Sequence, residues 1–140
     1  MFENIKDFLK KAKNQMISAY KNLKSFVNES RMKFGNLYQT NYNTGMYHFN
    51  HGNLWDATFR FKIIKKFWPN ELEGQYMYAY CLILQGLNND AEKVLTEILK
   101  KDSSYIEAEE LLEKIDDDET KSIIEEYTKR FETKNNEETN

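Results

Sequence analysis

The side chains best suited to metal or nucleophilic chemistry in this sequence are His48, His51 and Cys81. The two histidines stand three apart, a spacing that sets both imidazoles on one helix face and offers two corners of a metal site. There is no third histidine, and the one thiol stands apart within Tyr-Cys-Leu-Ile-Leu. His48 therefore reads as a half-buried packing residue, and Asp56, beyond the turn, as the cap of the next helix. Cys81 has no cationic neighbour to stabilise a thiolate and reads as a small core residue. Asp116-Asp117-Asp118-Glu119 lacks the alternating ligands and central glycine of a calcium loop; its carboxylates suit the positive start of a helix instead. Asn28-Glu29-Ser30 matches a glycosylation acceptor but falls inside a helical pattern. No glycine-rich phosphate loop, nucleophile elbow or Ser-His-Asp arrangement is present. The expectation is a chain that is not an enzyme and holds no metal and no cofactor.

What remains is surface and packing chemistry. The 140 residues are enough for one domain, 40% of them hydrophobic and 31% charged, with nine Phe, nine Tyr and two Trp. Such aromatic content argues for a packed protein rather than a disordered chain. Five Gly and one Pro are too few for a turn-dense all-β domain. A lone cysteine excludes an internal disulfide and suggests a reducing, cytoplasmic setting. No apolar run is long enough to span a bilayer, and Met1-Phe2-Glu3 does not open a secretory signal. Charge is uneven: residues 1–40 carry eight Lys/Arg against three Asp/Glu, 41–100 six of each, and 101–140 six against fourteen. The basic residues at the start are spread through an apolar stripe rather than gathered into a patch, which argues against nucleic acid as a partner.

That stripe defines the first element. Ile5, Leu9, Ala12, Met16, Ala19, Leu23 and Phe26 recur at alternating spacings of four and three, the seam of a coiled coil over three heptads. Phe8, Ile17, Tyr20 and Val27 widen it, and Lys6, Lys10, Lys11, Lys13, Lys21 and Lys24 lie mostly off it. The pattern predicts an amphipathic helix within 1–35, stopped at Phe34-Gly35-Asn36. Beyond it the pattern predicts paired helices: Tyr38–Asn50 with Leu54–Phe67, and Glu71–Gln85 with Asn89–Lys100. Tyr105–Ile115 pairs with a last helix that the Asp116–Asp118 run caps and that reaches about Phe131. Gly52 and Gly86 mark turns within pairs, and Trp68-Pro69-Asn70 ends the first pair, since proline cannot continue the helical ladder. Residues 133–140 are polar and read as disordered.

A shift of 34 residues lays the chain on itself. Tyr42 falls on Tyr76, Gly52 on Gly86, Asp56 on Asp90, Ala57 on Ala91, Ile64 on Ile98 and Lys66 on Lys100, with Gly45 over Ala79 and Phe61 over Leu95. The order Gly45, His48, Gly52, Ala57, Phe61, Ile64, Pro69 resembles the tetratricopeptide repeat, a helix–turn–helix unit of 34 residues. Asn41 stands where that family usually has a large aromatic. The resemblance implies an all-α helical-hairpin solenoid over 36–132, with repeats at 38–71, 72–105 and a degenerate 106–132. Small Gly45, Ala57, Ala79 and Ala91 would let helices approach closely.

The resemblance further implies that the first helix of each pair lines a groove for a protein or peptide. The matching positions are Gln39, Tyr42, Met46, Phe49 and Asn50, then Glu73, Tyr76, Met77, Tyr80, Ile83 and Leu84. Tyr42 and Met46 stand where carboxylate-gripping members carry Lys and Asn, so an apolar peptide or helix is the expected partner of a non-catalytic adaptor or scaffold. Alternatively the N-terminal helix covers this face as core. Two other readings stay open: a homo-oligomeric structural subunit assembled through the heptad seam, or a protein whose basic helix lies on a membrane surface.

Overall fold

The computed structural model describes residues 2–138; Met1, Thr139 and Asn140 lie outside the described residues, as do the side chains at 2, 3, 27, 31–35 and 133–138. The fold is all-α, with no strand among the described residues. Among the described residues six helices follow one another: α1 (Phe2–Asn50), α2 (Leu54–Phe67), α3 (Leu72–Leu84), α4 (Asn88–Lys101), α5 (Ile106–Asp116) and α6 (Thr120–Glu138). The chain divides into two compact units, Met1–Leu37 and Tyr38–Asn140.

The first unit is helical as the heptad pattern requires, and its stripe is exposed: Ile5, Phe8, Leu9, Met16, Ile17, Tyr20, Leu23 and Phe26 are each at least 45% accessible. The expected stop at Phe34-Gly35-Asn36 is not realised, because the α1 backbone is helical through it to Asn50. A single glycine inside a helix costs only about 1 kcal/mol relative to alanine, and no proline follows to enforce a break.

The second unit builds its core from the stripes of successive helices. α3 packs between α2 and α4, α5 on α4, and α6 returns to α3. Phe61, Ile64, Ile83, Leu95 and Ile98 are fully buried, and each contributes roughly 1.5–3 kcal/mol by leaving water. Close approach depends on small residues, as the sequence implies. Ala57, Ala79 and Ala91 are fully buried. A β-carbon on Gly45 would stand 2.8 Å from the Phe61 ring, and one on Gly74 would stand 2.5 Å from Ile64. The Pro69 carbonyl accepts hydrogen bonds from the buried Gln75 amide and from Lys101, which ties the α2–α3 turn to α3 and α4.

One turn chemistry closes all three hairpins. After α1, the Asn53 amide donates to His48 and Gly52 to Phe49; after α3, Leu87 donates to Leu82 and Gly86 to Ile83. After α5, Glu119 donates to Lys114 and Asp118 to Ile115. These paired bonds satisfy the last helical carbonyls and require a left-handed residue, supplied by Gly52 (φ 80°), Gly86 (φ 79°) and Asp118 (φ 58°). Two capping expectations are thereby corrected. The Asp116–Asp118 run ends α5 and turns the chain instead of capping α6, because the C-terminal geometry claims these residues first. Asp56 lies within the first turn of α2, not at its cap, which is Asn53 without a side-chain bond. The α6 backbone continues to Glu138, past the expected end near Phe131 and through most of the segment read as disordered. Extending a formed helix needs far less than starting one.

Candidate functional site

Tyrosines collect on one face of the second unit because the helical period places them there. Tyr38 and Tyr42 are one turn apart on α1, Tyr76 and Tyr80 one turn apart on α3, and Tyr105 leads into α5. The ring centroids lie 6.3 Å apart for Tyr38–Tyr42, 6.3 Å for Tyr76–Tyr80 and 5.9 Å for Tyr76–Tyr105. Trp68 sets its ring edge-on to Tyr38 at 5.7 Å, and Phe61 supports Tyr42 at 6.1 Å. The Tyr42 hydroxyl donates to Glu73 Oε1 at 2.8 Å, joining α1 to α3. All five tyrosines are half-buried, so each ring backs onto the core while part of it stays accessible.

The electrostatics of this face favour neutral phenols. Burial raises the Tyr42 phenol well above its ordinary value, reinforced by its hydrogen bond to Glu73. Tyr76 is pushed up to about 12, chiefly by burial and then by Tyr80, Tyr105, Glu107 and Glu110. Burial also raises Tyr38, with Glu71 and Glu73 adding, and Tyr105, with Glu107, Glu73 and Asp102 adding. The hydroxyls therefore remain hydrogen-bonding groups beside carboxylates across the ordinary pH range.

The eleven positions expected to line a groove separate into two groups. Tyr42, Met46, Tyr76, Met77 and Tyr80 are half-buried, Glu73 is exposed beside Tyr42, Gln39 is exposed and donates to Asn43 at 2.9 Å, and Asn50 is exposed at the end of α1. Phe49, Ile83 and Leu84 are instead buried in the core. The reason is α6. The Tyr127 ring lies 5.0 Å from Phe49 and its hydroxyl donates to the Phe49 carbonyl at 2.8 Å. Phe131 packs on Tyr127 at 5.0 Å and lies against Gly52. The C-terminal helix thus seats itself over the ends of α1 and α3, closing that half of the face and leaving the Tyr38–Tyr42–Tyr76–Tyr105 half open.

Sequence reasoning missed Tyr38, Trp68 and Tyr105. Tyr38 was legible as the residue one turn before Tyr42; the other two lie in turns, where spacing gives no face. It also passed over an outward aromatic strip, Trp55 (79% exposed) and Phe59 one turn later on α2. The chemistry-bearing residues stay scattered. His51 Nδ1 lies 2.7 Å from the Tyr47 carbonyl, its ring stacked on Tyr47 at 4.1 Å. His48 is half-buried, and its enclosed Nδ1 has no hydrogen-bond partner among the described residues. Burial pushes the Cys81 thiol up to about 12, the state of an inert core thiol. Among the described residues no group of three or more His, Cys, Asp or Glu could hold a metal, and no helix is long and apolar enough to cross a membrane. No family model, curated protein or solved structure matches this chain.

Proposed function

We propose that residues 38–132 are a short tetratricopeptide-like array and that the chain is a non-catalytic adaptor, binding a protein or peptide through its tyrosine face. The array reading is supported by the period of 34 and by the glycine–phenylalanine packing of Gly45 on Phe61. The paired turn bonds repeated after α1, α3 and α5 agree with it. The observation that carries the binding reading is the open row of half-buried rings at Tyr38, Tyr42, Tyr76 and Tyr105, beside a half already occupied by an amphipathic helix. Tyrosine suits recognition because it supplies a large apolar ring and a polar tip while ordering few torsions. Helix-in-groove docking uses anchors one turn apart, which is how Ile123, Tyr127 and Phe131 of α6 are spaced.

The test is capture of partners from the native cell by the wild-type chain and by a Tyr42→Ala/Tyr76→Ala/Tyr80→Ala variant. Retention of helix content with loss of the captured proteins is the expected outcome. Recovery of the same proteins would move the binding surface elsewhere. A second reading, self-assembly through the N-terminal seam, is favoured by one observation, the exposure of its apolar side chains. An extended apolar stripe of that kind marks an interaction surface rather than a solvated helix face.

A further inference from the structure

The charges of the second unit are sorted by helix. α3 carries one charged residue, Glu73, and α5 carries Glu107, Glu109, Glu110, Glu113 and Asp116 against Lys114 alone. The α2 helix is the reverse, with Arg60, Lys62, Lys65 and Lys66 against Asp56. Its lysines line a shared depression with α4, where Lys65 pairs with Glu97 at 3.4 Å, and Arg60 donates to Asn41 at 3.1 Å. The open tyrosine row has carboxylates beside it: Glu73 accepts from the Tyr42 hydroxyl at 2.8 Å, and Glu107 and Glu110 lie in the first turns of α5 just after Tyr105, where they also bear on Tyr76.

The occupied half indicates what this face accepts. There α6 supplies apolar anchors at Ile123, Tyr127 and Phe131, and it brings both Glu126 and Arg130 near Tyr80, the carboxylate acting on that phenol more strongly than the guanidinium. A docked helix of this chain thus already seats apolar anchors spaced one turn apart on this face. Tyrosine rings attract cations through their π faces, and nearby carboxylates add to that attraction.

Resting on the adaptor reading, we propose that the open half binds a basic amphipathic helix. Its apolar stripe would lie on Tyr38, Tyr42 and Tyr76, and lysines or arginines along its edge would meet Glu73, Glu107 and Glu110. An acidic helix would meet like charge at these carboxylates, and a neutral one forgoes them.

The probe is a fluorescent synthetic peptide of residues 4–30, which has six lysines beside its apolar stripe, titrated into the full chain and followed by anisotropy. Two relatives replace all six lysines by glutamine or by glutamate, and a third scrambles the order to destroy the stripe. The parent peptide should bind, and the glutamine form about tenfold more weakly. The glutamate and scrambled forms should be weaker still. A Glu107→Gln/Glu110→Gln chain, altered only at exposed positions, should lose severalfold affinity for the parent and none for the glutamine form. Equal binding of the parent, glutamine and glutamate peptides overturns the charge inference, and the groove reading survives if Tyr42→Ala/Tyr76→Ala/Tyr80→Ala still abolishes it. Binding indifferent to that triple substitution overturns the groove reading as well. No binding of the parent peptide overturns the inference outright.

Discussion

Tyr127 fastens α6 with one side chain used twice: its ring lies on Phe49, and its hydroxyl donates to the Phe49 carbonyl. That carbonyl lies in the last turn of α1, where helical acceptors lack amides of their own, and Gly52 reaches it only at 3.4 Å. Tyr127→Phe keeps the ring and removes the donor, so the expected loss is about 1 kcal/mol, read as a lower urea midpoint. The same hydroxyl makes stability depend on pH. Burial, and secondarily Cys81, push this phenol up to about 12 from an ordinary 10.0. The fold therefore favours the protonated form. Its contribution is complete below pH 10, where both states are protonated, and is lost as pH rises through the folded value near 12. Tyr76 acts in the same direction. Urea midpoints should fall between pH 10 and 12, and fall less in Tyr127→Phe. A midpoint flat across that range would show that neither phenol is constrained by folding. None of this was legible locally, because the bond joins residues 78 positions apart, and spacing along a helix says nothing about such a pair.

At the scale of elements, the boundaries from the start of α2 to the start of α4 were legible to within a residue or two because glycine and proline punctuate them chemically. Gly52, Gly86 and Pro69 each impose a backbone state that a helix interior does not tolerate. Gly35 imposes none, since it is merely unfavourable in a helix, and the α1 backbone continues across it. The third hairpin was misread for the opposite reason: its left-handed position is an aspartate, Asp118, 32 residues after Gly86 rather than 34. Aspartate adopts φ > 0 more readily than most side chains, though at a cost that glycine avoids. Asp118→Gly should therefore raise stability by about 0.5–1 kcal/mol, and Gly86→Ala should lower it by about 1 kcal/mol. Gly86 isolates the backbone effect, because a β-carbon there meets nothing within 4 Å; at Gly52 it would meet the Phe131 ring at 2.9 Å. Chemical denaturation of the two variants checks both signs. An Asp118→Gly variant less stable than wild type would mean the carboxylate holds the turn in a way that the paired backbone bonds do not explain.

The whole molecule combines a second unit with a saturated core and a first unit whose apolar stripe lies in water. The uneven charge along the sequence foretold the lysines that accompany the exposed stripe, but not that the acidic residues of α5 would stand beside the tyrosine face. It could not foretell that α6 would close half the groove, because that depends on where a chain end returns in space rather than on any period. Burying Ile5, Leu9, Met16, Leu23 and Phe26 would yield roughly 1.5–3 kcal/mol each, so even partial cover would rival the 5–15 kcal/mol that holds a typical domain together. A second copy can provide that cover, since the seam repeats at the 3.5-residue period that lets two helices interlock. Its lysines weaken such pairing at low ionic strength and are screened within about 8 Å at physiological salt. On the self-assembly reading, light scattering should find a species larger than the monomer whose proportion rises with both concentration and salt. Leu9→Glu with Leu23→Glu should abolish it while leaving the thermal midpoint of the chain nearly unchanged, because both positions are exposed in the single chain. A monomer at every concentration and salt would reject assembly through the seam. A midpoint lowered by several degrees in the double variant would instead mean that these leucines support the folded chain itself, and the stripe would have to be counted as core.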